Sequence, residues 1–261
     1  MREARVNDTV VRYQQSGKGP VALFLHGFPL DHTMWQFQWE DLSAVRTCVA
    51  PDLRGFGASA TPGPELLTMD QHALDMVDLL EHLDVGRADI IGLSMGGYVA
   101  LALQALHPER FRSLALIDTR ANADDQAARA NRDAVAERLV HEGRETWTHT
   151  VIPPLIGPDA SVFVRARLRA MIEGTRYETI VAALEGMKDR PDQTDLLPRI
   201  ETPTVVICGE HDSLTPPALS RAMADAIPGA RLELIPGAGH MSPLERPDAV
   251  NAALRAFWGV A

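Results

Sequence analysis

The residues best suited to covalent chemistry stand in one pentapeptide, Gly92-Leu93-Ser94-Met95-Gly96. An apolar run precedes it and an apolar helical segment follows it, so the sequence predicts a sharp turn from a strand into a helix. Such a turn strains the backbone of its serine and lifts the hydroxyl above the sheet, next to a helix N-terminus that favours negative charge. The pattern therefore predicts Ser94 as a nucleophile rather than as part of an ordinary tight turn.

A serine hydroxyl needs a general base, because its own pKa leaves it a weak nucleophile. Nine histidines compete for this role. His240 is the strongest candidate, since it follows the loop Pro236-Gly237-Ala238-Gly239, directly after the last strand-like run. Glycine and proline let this loop turn tightly and lay the imidazole over the edge of the sheet. The other histidines are expected to be solvated or hydrogen-bonded structural residues.

The imidazole needs a carboxylate on its other nitrogen. Asp212 ends the segment Cys208-Gly209-Glu210-His211-Asp212, and it lies between Ser94 and His240 in the chain order that a nucleophile turn predicts. Asp118 is the rival, because it also stands at the end of a strand-like run. Its alternative role is to cap the next helix. The sequence favours Asp212 as the residue that orients His240.

A tetrahedral oxyanion needs two backbone N–H donors aimed at it. Met95 follows the serine directly and is expected to supply one of them. The other is expected from the loop His26-Gly27-Phe28-Pro29, in which Phe28 is the best candidate. The predicted oxyanion hole is therefore formed by the N–H groups of Phe28 and Met95. His26 is expected to hydrogen-bond within its own loop.

A sheet must bring these residues together. Short, nearly continuous apolar runs recur along the chain, which is typical of strands buried on both faces of a parallel sheet. Helical patterns alternate with the runs, so the sequence predicts an α/β fold with a doubly wound, mostly parallel sheet. An antiparallel hairpin is expected over Ala4–Gln15. The apolar runs are Val21–Leu25, Thr47–Ala50, Ile90–Leu93, Leu114–Ile117, Val205–Cys208 and Leu232–Ile235.

Local signals predict several helix ends in this alternating part of the chain. Thr68 and Gln71 form the pattern of a capping box, and Gly86 is expected to stop the helix that they start. Thr215, which a proline follows, predicts a capped helix start. Pro247 predicts the first residue of the last helix.

One long segment, from Arg120 to Pro198, shows helical patterns and no convincing strand. It is too long for a loop and too poor in strands to belong to the sheet. We therefore expect a helical lid at residues 120–198, inserted into an α/β core formed by residues 1–119 and 199–261. The helical patterns occupy Ala121–His141, Val162–Ile172 and Tyr177–Met187.

The composition is that of an ordinary soluble globular protein, since the 261 residues are 46% hydrophobic and 23% charged. The net charge of −10, without a basic block, argues against binding to nucleic acid or to an anionic membrane. Cys48 and Cys208 lie in apolar runs and are expected to be buried free thiols. No signal peptide and no apolar run as long as a membrane span is visible, so a cytoplasmic location is expected. The oligomeric state stays open.

Five motifs occur in an order that resembles the α/β-hydrolase superfamily, from Val21 to Trp258. They are His26-Gly27-Phe28-Pro29, Asp52 to Ser59, Gly92 to Gly97, Gly209-Glu210-His211-Asp212 and Gly237-Ala238-Gly239-His240. Within that superfamily, Asp118-Thr119-Arg120-Ala121 and Arg190-Pro191-Asp192 resemble bacterial carboxylesterases close to 3-oxoadipate enol-lactonases. The resemblance implies a serine hydrolase that uses neither a metal nor a cofactor. It also implies that the segment from Asp52 to Ser59 is a structural turn.

These residues and the resemblance predict a serine carboxylesterase that hydrolyses short-chain esters of small molecules through an acyl-serine intermediate. An enol-lactonase, a C–C hydrolase or a perhydrolase with the same residues is the alternative, and a non-catalytic receptor of this fold is a more distant one. A dicarboxylate enol-lactone would need a cation in the pocket. The lid offers cations whose direction the sequence does not show: Arg144, Arg165, Arg167, Arg169, Arg176, Lys188 and Arg190. Apolar candidates for the pocket wall are Trp147, Phe163, Met171, Tyr177 and Met187.

Overall fold

The computed structural model of the protein describes residues 1–60 and 66–260, and within these residues eight strands form a single sheet. The strands are β1 (Arg2–Val6), β2 (Thr9–Gly17), β3 (Val21–Leu25), β4 (Thr47–Pro51), β5 (Ala88–Leu93), β6 (Phe111–Ile117), β7 (Thr204–Gly209) and β8 (Arg231–Ile235). Their order across the sheet is β1-β2-β4-β3-β5-β6-β7-β8. The pairs β1–β2 and β2–β4 are antiparallel, and the remaining pairs are parallel. The predicted α/β fold with a mostly parallel sheet is confirmed.

Each predicted apolar run lies inside a strand, from β3 to β8. Strands β5 and β7 are buried along their whole length, as strands covered on both faces should be. Strand β8 is the exception, because it ends the sheet and four of its five residues are exposed or half-buried. The predicted N-terminal hairpin is present, but it turns at Asn7 and Asp8, between β1 and β2.

Ten α-helices lie in the described part of the chain, and they flank the sheet or pack on one another. They are α1 (Gln36–Leu42), α2 (Met69–His82), α3 (Met95–Leu106), α4 (Gln126–Glu142), α5 (Arg144–Leu155), α6 (Val162–Gly174), α7 (Tyr177–Asp189), α8 (Pro217–Ala226), α9 (Ser242–Glu245) and α10 (Pro247–Trp258). Short 3-10 segments occupy His32–Trp35, Pro108–Arg110 and Thr194–Arg199. Helix α1 packs against α10 and helix α2 against α3, and these helices also contact strands of the sheet.

The predicted helix ends are correct in part. Thr68 caps α2 by accepting a hydrogen bond from the N–H of Gln71 at 3.1 Å, and Pro247 is the first residue of α10. The prediction that Gly86 stops α2 is wrong, because α2 ends at His82 and Asp84 takes the positive φ, +56°. A short polar side chain tolerates this conformation, so the chain can leave the helix before the glycine.

The prediction that Thr215 caps a helix is also wrong. Helix α8 begins at Pro217, and the cap position is Pro216, which has no side-chain hydrogen bond to the helix. The hydroxyl of Thr215 donates instead to Asp212 Oδ2 at 2.6 Å. The local pattern assigns the hydroxyl of Thr215 to the start of α8, but the carboxylate of Asp212, three residues earlier, accepts its hydrogen bond instead.

Between β6 and β7 the chain forms helices α4 to α7 and no strand. Helix α4 begins at Gln126, later than predicted, with Asp125 as its cap. Helix α5 is not predicted, because its sequence contains two prolines and several β-branched residues that lower helix propensity. The helices pack on one another, α4 against α5 and α7, and α5 against α6. The division into a core domain and a lid at 120–198 stays a prediction.

Two further expectations concern the thiols and the membrane. Cys48 and Cys208 are free and buried, as predicted. Burial raises the pKa of both thiols to about 12, so they stay protonated and unreactive at neutral pH. Among the helices of residues 1–60 and 66–260, none is both long enough and apolar enough to cross a membrane.

A buried ion pair holds the loop after β4, which supports the loop after β3. The guanidinium of Arg54 donates to both oxygens of Asp75, at 2.7 and 2.6 Å, and to Asp8 at 2.7 Å. Arg54 and Asp75 are almost fully buried, with 2% and 0% of their side chains exposed. The neighbouring N–H of Leu53 donates to His26 Nε2 at 2.9 Å, so this ion pair is connected to the loop that carries Phe28.

We expect Arg54→Met to lower the free energy of unfolding by about 3–5 kcal/mol, because it leaves the buried Asp75 carboxylate without its cation. The control is Arg12→Met, which breaks an ion pair with Glu3 whose side chains are 42% and 61% exposed. The control should change the free energy of unfolding by about 1 kcal/mol or less. Urea denaturation measures both variants. Equal losses for the two variants would show that the Arg54 pair is not a structural support.

Candidate active site

Ser94 lies in the sharp turn between β5 and α3, as the sequence predicts. Its backbone has φ +53° and ψ −114°, which is strained for a residue with a side chain. Its N–H donates to the carbonyl of Ile117 at 3.0 Å, and its carbonyl accepts from Gly97 N at 2.9 Å and from Thr119 Oγ1 at 2.8 Å. These hydrogen bonds hold the strained turn at the carboxyl edge of the sheet.

The turn closes because glycine stands two residues before and two residues after the serine. A Cβ on Gly92 would lie 2.2 Å from the carbonyl oxygen of Gly96. A Cβ on Gly96 would lie 2.1 Å from the carbonyl oxygen of Leu25. Both distances are far shorter than van der Waals contact, so a side chain at either position would push α3 away from the sheet.

Asp212 lies in the loop after β7, and donors surround its carboxylate. Its Oδ1 accepts from Leu214 N and Thr215 N, both at 2.9 Å. Its Oδ2 accepts from Thr215 Oγ1 at 2.6 Å and from His240 Nδ1 at 2.8 Å. Burial alone would raise the pKa of Asp212, but His240 and Thr215 hold it below its ordinary value. The carboxylate is therefore ionised at neutral pH.

His240 lies in the loop after β8, and its ring is buried. Because an ionised carboxylate only accepts, Nδ1 of His240 must carry the proton that is donated to Asp212. This hydrogen bond leaves Nε2 as the unprotonated nitrogen of the neutral ring. Burial is the largest single effect and disfavours the imidazolium, but the charge and the hydrogen bond of Asp212, together with the charges of Asp118 and Glu245, raise the pKa of His240. Asp212 is thus a charged acceptor that orients His240 and makes its imidazole a stronger base.

Glu245 holds the loop that carries His240. Its Oε1 accepts from Gly239 N at 2.9 Å, and its Oε2 accepts from Gly157 N at 2.8 Å. Gly157 follows α5, so one carboxylate joins the His240 loop to the helical segment between β6 and β7. Burial raises the pKa of Glu245, while these N–H donors oppose the rise.

Phe28, in the loop after β3, and Met95, at the start of α3, are the predicted oxyanion donors, and they follow parallel neighbouring strands at the same edge of the sheet. The peptide bond from Phe28 to Pro29 is cis. His26 Nδ1 donates to the carbonyl of the next residue at 3.0 Å, and its Nε2 accepts from Leu53 N, so His26 does hydrogen-bond within its loop as predicted. Met95 is the first residue of α3, where N–H groups have no partner within the helix.

Asp118, the predicted rival of Asp212, does not contact His240 by a hydrogen bond. Its Oδ1 accepts from Gly209 N at 2.7 Å, and its Oδ2 accepts from Ser242 Oγ and from Ser242 N, the latter at 3.3 Å. The alternative prediction that Asp118 caps the next helix is wrong, because Asp125 caps α4. Asp118 instead joins the end of β7 to the start of α9, two residues after His240.

The carboxyl of Asp118 lies close to that of Asp212. Ligand atoms of Asp118, Cys208 and Asp212 lie within 4.8 Å of one another, as do those of a second group, Asp31, His32 and Asp52. In both groups the carboxylates already accept protein hydrogen bonds, including 2.7 Å from Gly209 N and 2.7 Å from His32 Nδ1. Burial and the charge of Asp212 raise the pKa of Asp118 to about 7.

A cavity of about 440 Å³ lies between the edge of the sheet and helices α4, α5 and α7. On the sheet side it is lined by Phe28, Ser94, Tyr98, Thr215 and His240. On the helical side the apolar lining residues are Val135, Trp147, Val151, Pro154, Leu155, Leu184 and Met187. Asp212 and Met95 are buried and are not lining residues, but Asp212 contacts His240 and Met95 follows Ser94 in the chain. The predicted site residues are thus brought together at one cavity.

The lining of the cavity differs from the sequence-based expectation. Of the apolar candidates, Trp147 and Met187 line it, whereas Phe163 is 55% exposed and lies near Phe37 on another surface. Met171 and Tyr177 are not among its lining residues. The lid cations whose direction the sequence left open are not among its lining residues. The arginines that line it are Arg120, Arg132 and Arg138.

Sequence reasoning missed Thr215, Glu245 and the three arginines of the cavity wall. The spacing of Thr215, three residues after Asp212, is a signal for a side-chain turn around the carboxylate. The signal for Glu245 is weaker. A glutamate that follows a proline and a leucine just before the final helix suggests a buried carboxylate with a partner inside the protein. No local pattern distinguishes the arginines, because their direction depends on how α4 packs.

Comparisons with known proteins agree with this arrangement. The family profile described as "Alpha/beta hydrolase family" matches residues 22–253. A thermophilic esterase from Thermogutta terrifontis, solved with malate bound, is 38% identical, with a TM-score of 0.95 over 99% of this chain and 98% of that chain. The enol-lactonase from Burkholderia xenovorans LB400 is 31% identical, with a TM-score of 0.91 over 99% of this chain and 100% of that one. In sequence, 3-oxoadipate enol-lactonase 2 of Acinetobacter baylyi is 30% identical over 255 residues, 95% of this chain and 93% of that protein.

The buried carboxyl of Asp118 predicts a pH-dependent stability. A carboxyl whose pKa is higher in the folded than in the unfolded chain stabilises the fold below the unfolded value, and this stabilisation is lost as the pH rises through the folded value. As the pH rises to about 7, the parent protein therefore loses the stabilisation that the protonated Asp118 carboxyl provides. Asp118→Asn has no carboxyl at this position and does not show this loss. We expect the free energy of unfolding of Asp118→Asn, relative to the parent, to increase between pH 5 and about pH 7, which lies between the unfolded and the folded pKa of the carboxyl, and to level off above that.

The control for this measurement is Asp192→Asn. Hydrogen bonds from Thr194 and Ala123 hold the pKa of Asp192 below its ordinary value, so its carboxylate is ionised throughout the range. Its stability difference from the parent should not change with pH over that range. Urea denaturation at several pH values measures both differences, and a flat difference for Asp118→Asn would contradict a buried carboxyl with a raised pKa.

Proposed function

The chain belongs to the alpha/beta hydrolase family, and we propose that it is a serine esterase that hydrolyses short-chain carboxylic esters through an acyl-serine intermediate. The observation that carries the proposal is the 2.8 Å hydrogen bond from His240 to an ionised Asp212, beside a cavity that Ser94 also lines. The similarity to a solved esterase, at 38% identity, supports the same reaction class.

In the proposed first step, Nε2 of His240 takes the hydroxyl proton of Ser94 while the serine oxygen attacks the ester carbonyl carbon. The carbonyl oxygen becomes an oxyanion, and the N–H groups of Phe28 and Met95 stabilise it. Met95 contributes as the first residue of α3, since a helix N-terminus favours negative charge. Asp212 stabilises the imidazolium that forms on His240.

In the second step, the imidazolium of His240 returns its proton to the leaving alcohol, and the carbon–oxygen bond of the ester breaks. The acyl group stays on Ser94. Water then enters, His240 takes a proton from it, and the hydroxide attacks the acyl carbon. Collapse of the second tetrahedral intermediate releases the carboxylic acid and returns the proton to Ser94.

The size of the cavity favours small substrates. Its volume of about 440 Å³ lies toward the lower end of the range of about 300–1,000 Å³ that is common for small-molecule sites. Each CH₂ of the acyl chain that is buried against its apolar wall contributes about 0.8 kcal/mol until the cavity is full. We propose that residues 120–198 act as the lid that closes this cavity, and that short acyl chains are therefore preferred.

A lactone is a second candidate substrate at the same site. It is favoured by the similarity to two enol-lactonases, at 31% and 30% identity. The proposed steps are the same, except that the alcohol which leaves the carbonyl carbon stays covalently attached to the acyl group, so that the acyl-serine and the acid product both carry it. The cytoplasm is the proposed location, which the two free buried thiols support.

We expect Ser94→Ala to lower kcat for a short 4-nitrophenyl ester by a factor on the order of 10⁶, because the nucleophile is removed. Asp212→Asn should lower kcat by roughly 10⁴, because the imidazole then adopts the wrong tautomer. Steady-state hydrolysis measures both. The control is Ser213→Ala, whose exposed hydroxyl lies 3.4 Å from the carbonyl of Pro154 and should leave the rate unchanged. Ester hydrolysis by Ser94→Ala at the parent rate would refute the proposed mechanism.

A further inference from the structure

The carboxylate of Glu245 lies at the junction between the loop that carries His240 and the end of α5. Its Oε1 accepts from the N–H of Gly239, the residue directly before His240, at 2.9 Å. Its Oε2 accepts from the N–H of Gly157, two residues after the last residue of α5, at 2.8 Å. Glu245 is only 7% exposed, and both glycines are buried. A buried N–H that loses its acceptor is costly, so this carboxylate holds both backbone segments in place.

The two backbone segments that Glu245 joins are in direct contact. A Cβ on Gly239 would lie 2.2 Å from the backbone nitrogen of Gly157 and 2.4 Å from the carbonyl carbon of Ile156. Position 239 therefore has no room for a side chain. Pro154 and Leu155, which precede this contact, line the cavity beside Ser94. The loop of the general base and the wall of the cavity thus meet at the point that Glu245 bridges.

Negative charge surrounds His240. Burial is the largest effect on the pKa of its ring and lowers it, but three carboxylates raise it: Asp212, which accepts its hydrogen bond, and Asp118 and Glu245, which act through their charge. Both oxygens of Glu245 accept from an N–H, and this arrangement fits the ionised form, because a carboxylate can only accept. Other charged groups around His240 are Arg246 beside Glu245, the exposed Glu210 and His211 before Asp212, and Arg120, Arg132 and Arg138 across the cavity.

We propose that Glu245 is a positioning residue for the general base: it fixes the loop of His240 against the end of α5, and its negative charge stabilises the imidazolium that His240 forms. This inference rests on the proposed esterase function. Glu245 is not among the residues that line the cavity, so it acts through His240 and not on the substrate. The bridge between Gly239 and Gly157 depends on the length and the two oxygens of the side chain, whereas the effect on the imidazolium depends on its charge.

Glu245→Gln keeps the length of the side chain and removes its charge. The acid limb of the pH dependence of kcat/KM follows the protonation of His240, because only the neutral ring can take the proton of Ser94. Without the charge of Glu245 the imidazolium is less stable, so we expect this limb to move to lower pH by about half a unit or more. Steady-state hydrolysis of a short 4-nitrophenyl ester between about pH 5 and pH 9 measures the shift.

Glu245→Asp tests the bridge, because it keeps the charge but is one CH₂ shorter and cannot accept from both N–H groups. We expect kcat to fall roughly tenfold with KM nearly unchanged, since a misplaced base weakens the transition state and not the binding of the ester. The acid limb of Glu245→Asp should lie closer to that of the parent than the acid limb of Glu245→Gln does.

The matched control is Glu210→Gln. The Oε2 of Glu210 accepts from the N–H of Gly237 at 3.0 Å, in the same loop, but its side chain is 55% exposed. Water can replace this acceptor and screen the charge, so the control should keep the kcat and the acid limb of the parent. Circular dichroism verifies that each variant is folded. An acid limb of Glu245→Gln that coincides with that of the parent, or a Glu245→Asp variant with the parent kcat, would overturn the inference.

A direct titration of the imidazole separates this inference from the proposed function. NMR of protein labelled with ¹⁵N in its histidines follows the protonation of His240 without a substrate, and the signal that His240→Ala lacks assigns it. The titration midpoint should be lower in Glu245→Gln than in the parent and unchanged in Glu210→Gln. If no ester is cleaved but the midpoint falls in Glu245→Gln, the esterase proposal fails and the effect of Glu245 on His240 stands. If the parent cleaves esters but the midpoint is the same in both, the inference fails alone.

Discussion

The site depends on the hydrogen bond between Asp212 Oδ2 and His240 Nδ1, at 2.8 Å. Both groups are buried, and burial alone would neutralise the carboxylate and weaken the imidazole as a base. Donors from Leu214 and Thr215 keep the carboxylate charged, and the carboxylate keeps the imidazole basic. The order of the sheet makes this contact possible, because β7 and β8 are neighbours and their loops meet at one edge.

Much of this arrangement could be predicted from the sequence, because it depends on local patterns. The apolar runs identify the strands, and the glycines around Ser94 identify the turn. Thr215 could not be assigned in this way, since its sequence pattern fits a helix cap equally well and the carboxylate of Asp212 competes for the same hydroxyl. The cap predicted at Asp118 is wrong for a similar reason. A strand end followed by a helix suggests a cap, whereas the partners of Asp118, Gly209 and Ser242, are distant in the chain.

The walls of the cavity are the part that local sequence patterns could not reveal. Helix α4 carries arginines in several directions, and only its packing on α5 and α7 decides that Arg132 lines the cavity while Arg129 does not. Buried charges then fix that packing. Asp124 gathers the arginines at one end of the helical segment, and Glu245 joins Gly157 to the His240 loop at another. Asp124 thus holds together arginines from different parts of the helical segment, and Glu245 joins that segment to the loop of the general base.

The proposed chemistry requires that Ser94 is a nucleophile activated by His240. Reaction with a fluorophosphonate, followed by peptide mass spectrometry, tests it most directly, because the reagent bonds covalently to an activated serine and requires no knowledge of the substrate. We expect the parent to be labelled at Ser94 and at no other serine, and we expect no labelling of His240→Ala in the same time. Labelling at another serine, or equal labelling of the parent and His240→Ala, would contradict it.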